Sequence, residues 1–148
     1  MKLSTRSRYG TRMMLDLATH YDEGPIQIGD VAKREDISVK YLEQLIIPLK
    51  KASLIESVRG PKGGHMLAKP PEEITIGEIV RVLEGGVTLT PCLIDPDVCE
   101  KSNNCLTRGI WEEATQVMVD ALNASTLAKL IEAGNRGEQG DRSAGKLG

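Results

Sequence analysis

The stretch Ser38-Val-Lys-Tyr-Leu-Glu-Gln-Leu-Ile-Ile-Pro-Leu-Lys-Lys-Ala-Ser-Leu-Ile-Glu-Ser-Val-Arg-Gly-Pro-Lys-Gly-Gly-His-Met-Leu-Ala68 decides the fold. Serine is a favoured helix N-cap, and after Ser38 the residues Leu42, Leu45, Ile46 and Leu49 recur at the i, i+3, i+4, i+7 spacing of one buried helix face. Lys40, Glu43, Gln44 and Lys51 then point outward. Pro48 removes one backbone donor and is expected to bend or loosen the last turn. Beyond Ala52-Ser53, Leu54–Arg59 and His65–Ala68 read as two short strands around the tip Gly60-Pro-Lys-Gly-Gly64, a β-hairpin. The tip lacks the spacing of a phosphate loop and opens no helix, so no nucleotide cofactor is expected.

Upstream, Ser4 can cap a helix reaching about Tyr21, with Tyr9, Met13, Leu17 and Ala18 on one face, and Asp22-Glu-Gly-Pro25 ends it. A second helix covers about Ile28 to Glu35, with Ile28, Val31 and Ala32 inward, and Asp36-Ile-Ser38 turns tightly into the third. Two helices joined by a three-residue turn and followed by a hairpin make a winged helix-turn-helix, whose second helix suits a major groove. Downstream, Thr75-Ile-Gly-Glu78 is a capping box opening a helix to about Glu84, which Gly85-Gly86 breaks.

Next comes Thr90-Pro-Cys-Leu-Ile-Asp-Pro-Asp-Val-Cys-Glu-Lys-Ser-Asn-Asn-Cys-Leu-Thr-Arg108, which holds all three cysteines of the chain, Cys92, Cys99 and Cys105. Three clustered thiols in a reducing compartment are more often ligands or redox groups than disulfide partners, and an odd number cannot pair off within one chain. Their spacing is looser than the tight pairs of a zinc ribbon; a cluster, a zinc ion and a metal-free redox loop all fit such a segment. From Thr107 to about Leu122 a long helix carries an apolar stripe, Ile110, Trp111, Ala114, Val117, Met118, Ala121 and Leu122. With one small domain beside it, that stripe is expected to pack against a second subunit. Ser125-Thr126 caps a last short turn, Leu127 to Ile131, and the glycine-rich remainder without apolar periodicity reads as a disordered tail. The organisation expected is therefore 1–84 winged helix-turn-helix, 85–106 cysteine loop, 107–133 dimerisation helix with a short terminal helix, and 134–148 tail, in a mainly α chain.

The 148 residues suffice for one domain with an extension. A net charge of −2 hides an asymmetry: residues 1–70 hold 12 Lys/Arg against 8 Asp/Glu, and residues 71–148 hold 7 against 13. A basic half suits a polyanionic partner. No leader and no long apolar run is visible, which suggests a cytoplasmic protein without membrane contact. No nucleophile–base pair, carboxylate pair or His-Glu-x-x-His motif suggests an enzyme.

Leu3-Ser-Thr-Arg-Ser-Arg-Tyr9, Lys40-Tyr-Leu-Glu-Gln-Leu45, Ser57-Val-Arg-Gly-Pro-Lys-Gly-Gly64, Pro71-Glu-Glu-Ile-Thr75 and Cys105-Leu-Thr-Arg-Gly-Ile-Trp111 together resemble the Rrf-type family of bacterial winged-helix transcriptional regulators, with its IscR-, NsrR-, RirA- and CymR-like members. The resemblance runs from Met1 to about Ile131. It implies a homodimeric repressor, paired through its long helix, that binds a double-stranded DNA operator. It also implies an iron-sulfur cluster, 2Fe-2S or 4Fe-4S, on Cys92, Cys99 and Cys105. The histidine ligand of IscR-like members falls at Arg108 here, and the aspartate ligand of NsrR-like members at Arg8, so neither usual fourth ligand is present. By side-chain chemistry Glu43 can accept from cytosine N4 and Gln44 can pair with adenine N6/N7. Lys40, Lys51, Arg6 and Arg8 suit phosphates, Arg59 a narrow minor groove, and Lys62 the adjacent backbone. The alternative of another class is a cysteine-metal or thiol redox interaction module that does not read DNA.

Overall fold

Ser4 accepts the Ser7 N–H and so starts helix α1 (Thr5–Thr19) in the computed structural model, which describes residues 2–139. Met13, Met14, Leu17 and Ala18 of α1 face the core. The helix stops at Thr19, and Tyr21–Glu23 form a separate 3₁₀ turn that leads into Gly24. Helix α2 (Ile28–Glu35) buries Val31 alone, while Ile28 and Ala32 pack at the core's edge. Asp36 closes α2 in the left-handed conformation, φ 53°, and this reverses the chain within three residues so that Ile37 enters the core and Ser38 caps the next helix.

That helix, α3 (Val39–Lys51), buries Leu42, Leu45, Ile46 and Leu49, the stripe expected from their spacing. It continues through Pro48 to Lys51, so the proline does not end it. Strands β1 (Ile55–Val58) and β2 (Gly64–Leu67) pair antiparallel, with Ile55 opposite Leu67 and Val58 opposite Gly64. Ile26 pairs with His65 on the open side of β2, each N–H donating to the other's carbonyl at 2.8 Å. The hairpin is thereby tied to the segment that enters α2.

Helix α4 (Ile76–Glu84) opens on the expected capping box, Thr75 Oγ1 accepting the Glu78 N–H at 3.1 Å and Glu78 accepting the Thr75 N–H at 3.3 Å. Gly85, φ 77°, supplies the left-handed residue that ends it. The cysteine segment follows as three 3₁₀ turns, Pro91–Leu93, Pro96–Val98 and Ser102–Asn104. Helix α5 (Arg108–Ala124) then runs without one fully buried residue. The chain returns at Ser125: the Ile76 N–H donates to the Ser125 carbonyl at 2.8 Å, and the Leu127 N–H to the Ile74 carbonyl at 3.0 Å.

The last helix, α6 (Leu127–Gln139), differs from the expected short turn ending at Ile131. Leu127 is fully buried, and α6 lies against α1 and the 3₁₀ turn Pro71–Glu73, so packing stabilises a helix that a glycine-bearing sequence hardly favours alone. Residues 134–139 of the expected disordered tail are thus helical, and 140–148 lie outside the described residues. One core unites α1, α3, α4, the hairpin and Leu127 of α6. Each large apolar side chain it takes from water contributes about 1.5–3 kcal/mol.

Candidate nucleic-acid interface and cysteine loop

The buried stripe of α3 sets what the helix offers to solvent. Because Leu42, Leu45, Ile46 and Leu49 face inward, Lys40, Glu43, Gln44 and Lys51 stand exposed on the other side. Arg59 and Lys62 are exposed at the hairpin tip, where the Gly63 N–H donates to the Gly60 carbonyl at 2.9 Å and closes the turn. The tip is not a free flap, since the Gln27 side-chain amide donates to the Gly63 carbonyl. Arg6 and Arg8 are exposed on the first turn of α1, close to α3 because Tyr9 meets Tyr41 edge to face with ring centroids 5.9 Å apart. Among the described residues none of these eight polar side chains spends itself on an internal hydrogen bond or ion pair.

Neighbouring charges that do pair lie outside this set. Arg12 stacks over the Tyr9 ring at 5.5 Å and donates to Glu35 at 3.0 Å. Arg34 grips the buried Asp16 with both arms of its guanidinium, at 2.8 and 2.7 Å, and that pairing raises its pKa further. His65 sits in β2 of the wing, its Nδ1 2.8 Å from Ser57 Oγ. Burial pushes its pKa down, Lys50 adds to the effect, and Glu43 opposes it, so the wing and α3 share one electrostatic neighbourhood. Sequence reasoning missed the anchoring role of Ile26 and Gln27, because two residues are too few for any periodicity to show.

The cysteine loop is held from both ends. The Leu89 N–H donates to Thr115 Oγ1 at 3.2 Å, and Arg108 Nη2 donates to the Cys92 carbonyl at 3.4 Å. Cys92 is half-buried with Sγ 3.2 Å from Thr90 Oγ1, Cys99 is exposed, and Cys105 is half-buried with Sγ 3.2 Å from Thr107 Oγ1. Hydrogen bonding from Thr107 lowers the Cys105 pKa, with Arg108 assisting. Two buried polar atoms here, Ser102 Oγ in the loop and Arg108 Nε at the start of α5, have no partner among the described residues. The three sulfurs are not gathered: among the described residues no three His, Cys, Asp or Glu side chains stand close enough to share a metal ion.

An exposed, polar second helix of a helix-turn-helix with a basic hairpin at its side defines a winged-helix DNA-binding protein. The family described as "Rrf2: Iron-dependent Transcriptional regulator" matches residues 3–133, and the chain belongs to it. It is 49% identical over 131 residues to protein rrf2 of Nitratidesulfovibrio vulgaris, covering 88% of this chain and 87% of that one. It is 38% identical to the HTH-type transcriptional regulator IscR of Erwinia tasmaniensis, over 88% of this chain and 79% of that one. Among solved structures, T. potens IscR superposes with a TM-score of 0.74 at 34% identity, covering 100% of this chain and 94% of its own. CymR, titled the global cysteine regulator of B. subtilis, does so with a TM-score of 0.75 at 36% identity, over 90% and 98%. These relatives are regulators of transcription and not enzymes, and no helix among the described residues is long and apolar enough to cross a membrane.

Proposed function

We propose that this chain is a cytoplasmic, homodimeric repressor that reads an inverted-repeat operator and whose operator affinity responds to an iron-sulfur cluster on Cys92, Cys99 and Cys105. The observation that carries the DNA reading is the face of α3: Lys40, Glu43, Gln44 and Lys51 are exposed and unpaired among the described residues, with Arg59 and Lys62 of the wing beyond them. Glu43 and Gln44 read base edges, while Lys40, Lys51, Arg6, Arg8 and Lys62 hold phosphates and Arg59 enters the minor groove. The exposed stripe of α5, with Val117 64% accessible, supports pairing of two copies through this helix.

The donor set fits the cluster by its chemistry. Three thiolates on one loop are the soft ligands such clusters take, and the Arg108 cation beside Cys92 would offset part of their negative charge. Cys92, Cys99 and Cys105 would hold the group, and Arg108 would not ligate it. When bound it would supply a redox- and iron-responsive centre between the winged domain and α5. Gathering the sulfurs requires the three 3₁₀ turns to move, and that reorganisation gives occupancy a route to the spacing of the two DNA-binding units.

A second reading is supported by the separation of the sulfurs together with the CymR relatives: the loop works as metal-free thiols. Anaerobic purification with an absorption spectrum and iron and sulfide analysis separates the two. Stoichiometric iron and sulfide, lost in Cys92→Ala, Cys99→Ala and Cys105→Ala but kept in Arg108→Ala, is the expected result; iron-free protein supports the thiol reading. For DNA, selection from a random duplex pool should yield an inverted repeat whose affinity falls steeply with salt. Equal affinity for every duplex would overturn the regulator itself.

A further inference from the structure

Two large apolar side chains stand in water on the outer face of α3, Val39 at 39% and Ile47 at 66% exposure. They lie four residues either side of Glu43, so Val39, Glu43 and Ile47 form one row along the helix with neighbours about 5–6 Å apart. The row runs along the flank of the buried stripe, between it and the Lys40, Gln44 and Lys51 face, and contributes nothing to the core. Helix propensity does not account for it either, since β-branched residues are poorer helix formers than the lysines and glutamine beside them. A single exposed isoleucine would be unremarkable. A valine and an isoleucine bracketing an acidic side chain, on a face whose charges are unpaired among the described residues, call for an occupant.

The surroundings specify that occupant. Lys40, Lys50 and Lys51 are exposed on the same helix, and Arg59 and Lys62 are exposed at the hairpin tip, a positive charge that favours a polyanion over an apolar protein surface. Only one common polyanion presents methyl groups inside a phosphate-bordered groove: B-form DNA, through the C5-methyl of thymine. RNA lacks that methyl and its deep major groove excludes side chains. Resting on the reading that α3 enters a major groove, we propose that Val39 and Ile47 are specificity-determining residues that pack on thymine methyls flanking the base pair read by Glu43. Four residues of helix advance about 6 Å, so each thymine lies about two base pairs from that position.

The test begins with the duplex selected from a random pool by the full-length protein and replaces its thymines one at a time by uracil, which removes only the methyl. Wild-type affinity should fall about four-fold at a thymine on each side of the Glu43 position, the worth of one buried methyl group. The Val39→Ala/Ile47→Ala double variant, whose changes lie on the exposed face and leave the core intact, should bind thymine and uracil duplexes equally. If selection returns no preferred sequence, the DNA-reading role of α3 falls and this inference with it. If a sequence is selected but uracil costs the wild type nothing, or the double variant still discriminates, the methyl contacts are refuted while the regulator stands.

Discussion

His65 shows what one residue can do within the wing. It sits opposite Ser57 in the hairpin register, bonded to the Ser57 hydroxyl, and burial together with the Lys50 charge holds its pKa below the usual 6.5. The folded chain therefore resists a proton that the unfolded chain accepts. Its contribution to stability is complete above 6.5 and is lost as pH falls from there through the depressed folded value. Denaturant titrations across that window should show wild-type stability declining on acidification, and His65→Gln should flatten this component; an unchanged slope would place the burial of His65 in doubt. Other residues tie elements together in ways composition cannot reveal. Glu84, at the end of α4, accepts from the Ser4 N–H at 2.9 Å, from the Ser4 hydroxyl at 2.7 Å and from the Ser7 hydroxyl, and these bonds hold its carboxyl below the ordinary carboxylate range. The sequence shows Ser4 as a cap but not the partner 80 residues away.

Among the elements, the wing is held by close backbone approach at two glycines. A Cβ at Gly63 would run into the Val58 carbonyl, and one at Gly64 into the Ile26 carbonyl, so both glycines are required by close backbone approach. Gly63→Ala should cost about 1–3 kcal/mol and loosen β1 and β2 while leaving the helices intact. Hydrogen exchange would then quicken at Ile55–Val58 and Gly64–Leu67 and stay slow at Leu42–Leu49; uniform quickening would mean the wing is inseparable from the core. The start of α3 and both ends of α4 were legible because caps and a stop signal mark them: Ser38, the Thr75/Glu78 box and Gly85. The extent of α6 was not legible, because what holds it is the surface of α1 and the carbonyl of Ile74, neither of which is local to it.

At the scale of the whole molecule, α5 lies against α4 with Leu122 at the edge of the core, and α6 follows against α1, so the cysteine loop is the segment that joins two packed helices, α4 and α5. Since no residue of α5 is fully buried within one chain, a charge placed on its stripe should disrupt association without unfolding the domain. Val117→Asp should convert a dimer at micromolar concentration to a monomer by sedimentation, with helix content and core unfolding retained. A wild type that already sediments as a monomer would show that the stripe is not an interface.

Local physics determined much of this protein in advance. A cap, a helical apolar period and a glycine-rich tip are read over a few residues, so the winged helix-turn-helix and its outward polar face are written in Ile28–Ala68. The three cysteines and the asymmetry of charge are equally plain in one dimension. What the tertiary structure alone decided are meetings between distant residues: Asp16 with Arg34, Glu84 with Ser4, Ile26 with His65, and α6 with α1. It decided the exposure of Ile47 as well. The spacing of Leu42, Leu45, Ile46 and Leu49 already turns Ile47 away from the core, but whether a neighbouring element covers it depends on how the rest of the chain packs around α3, and none among the described residues does, so Ile47 is 66% exposed.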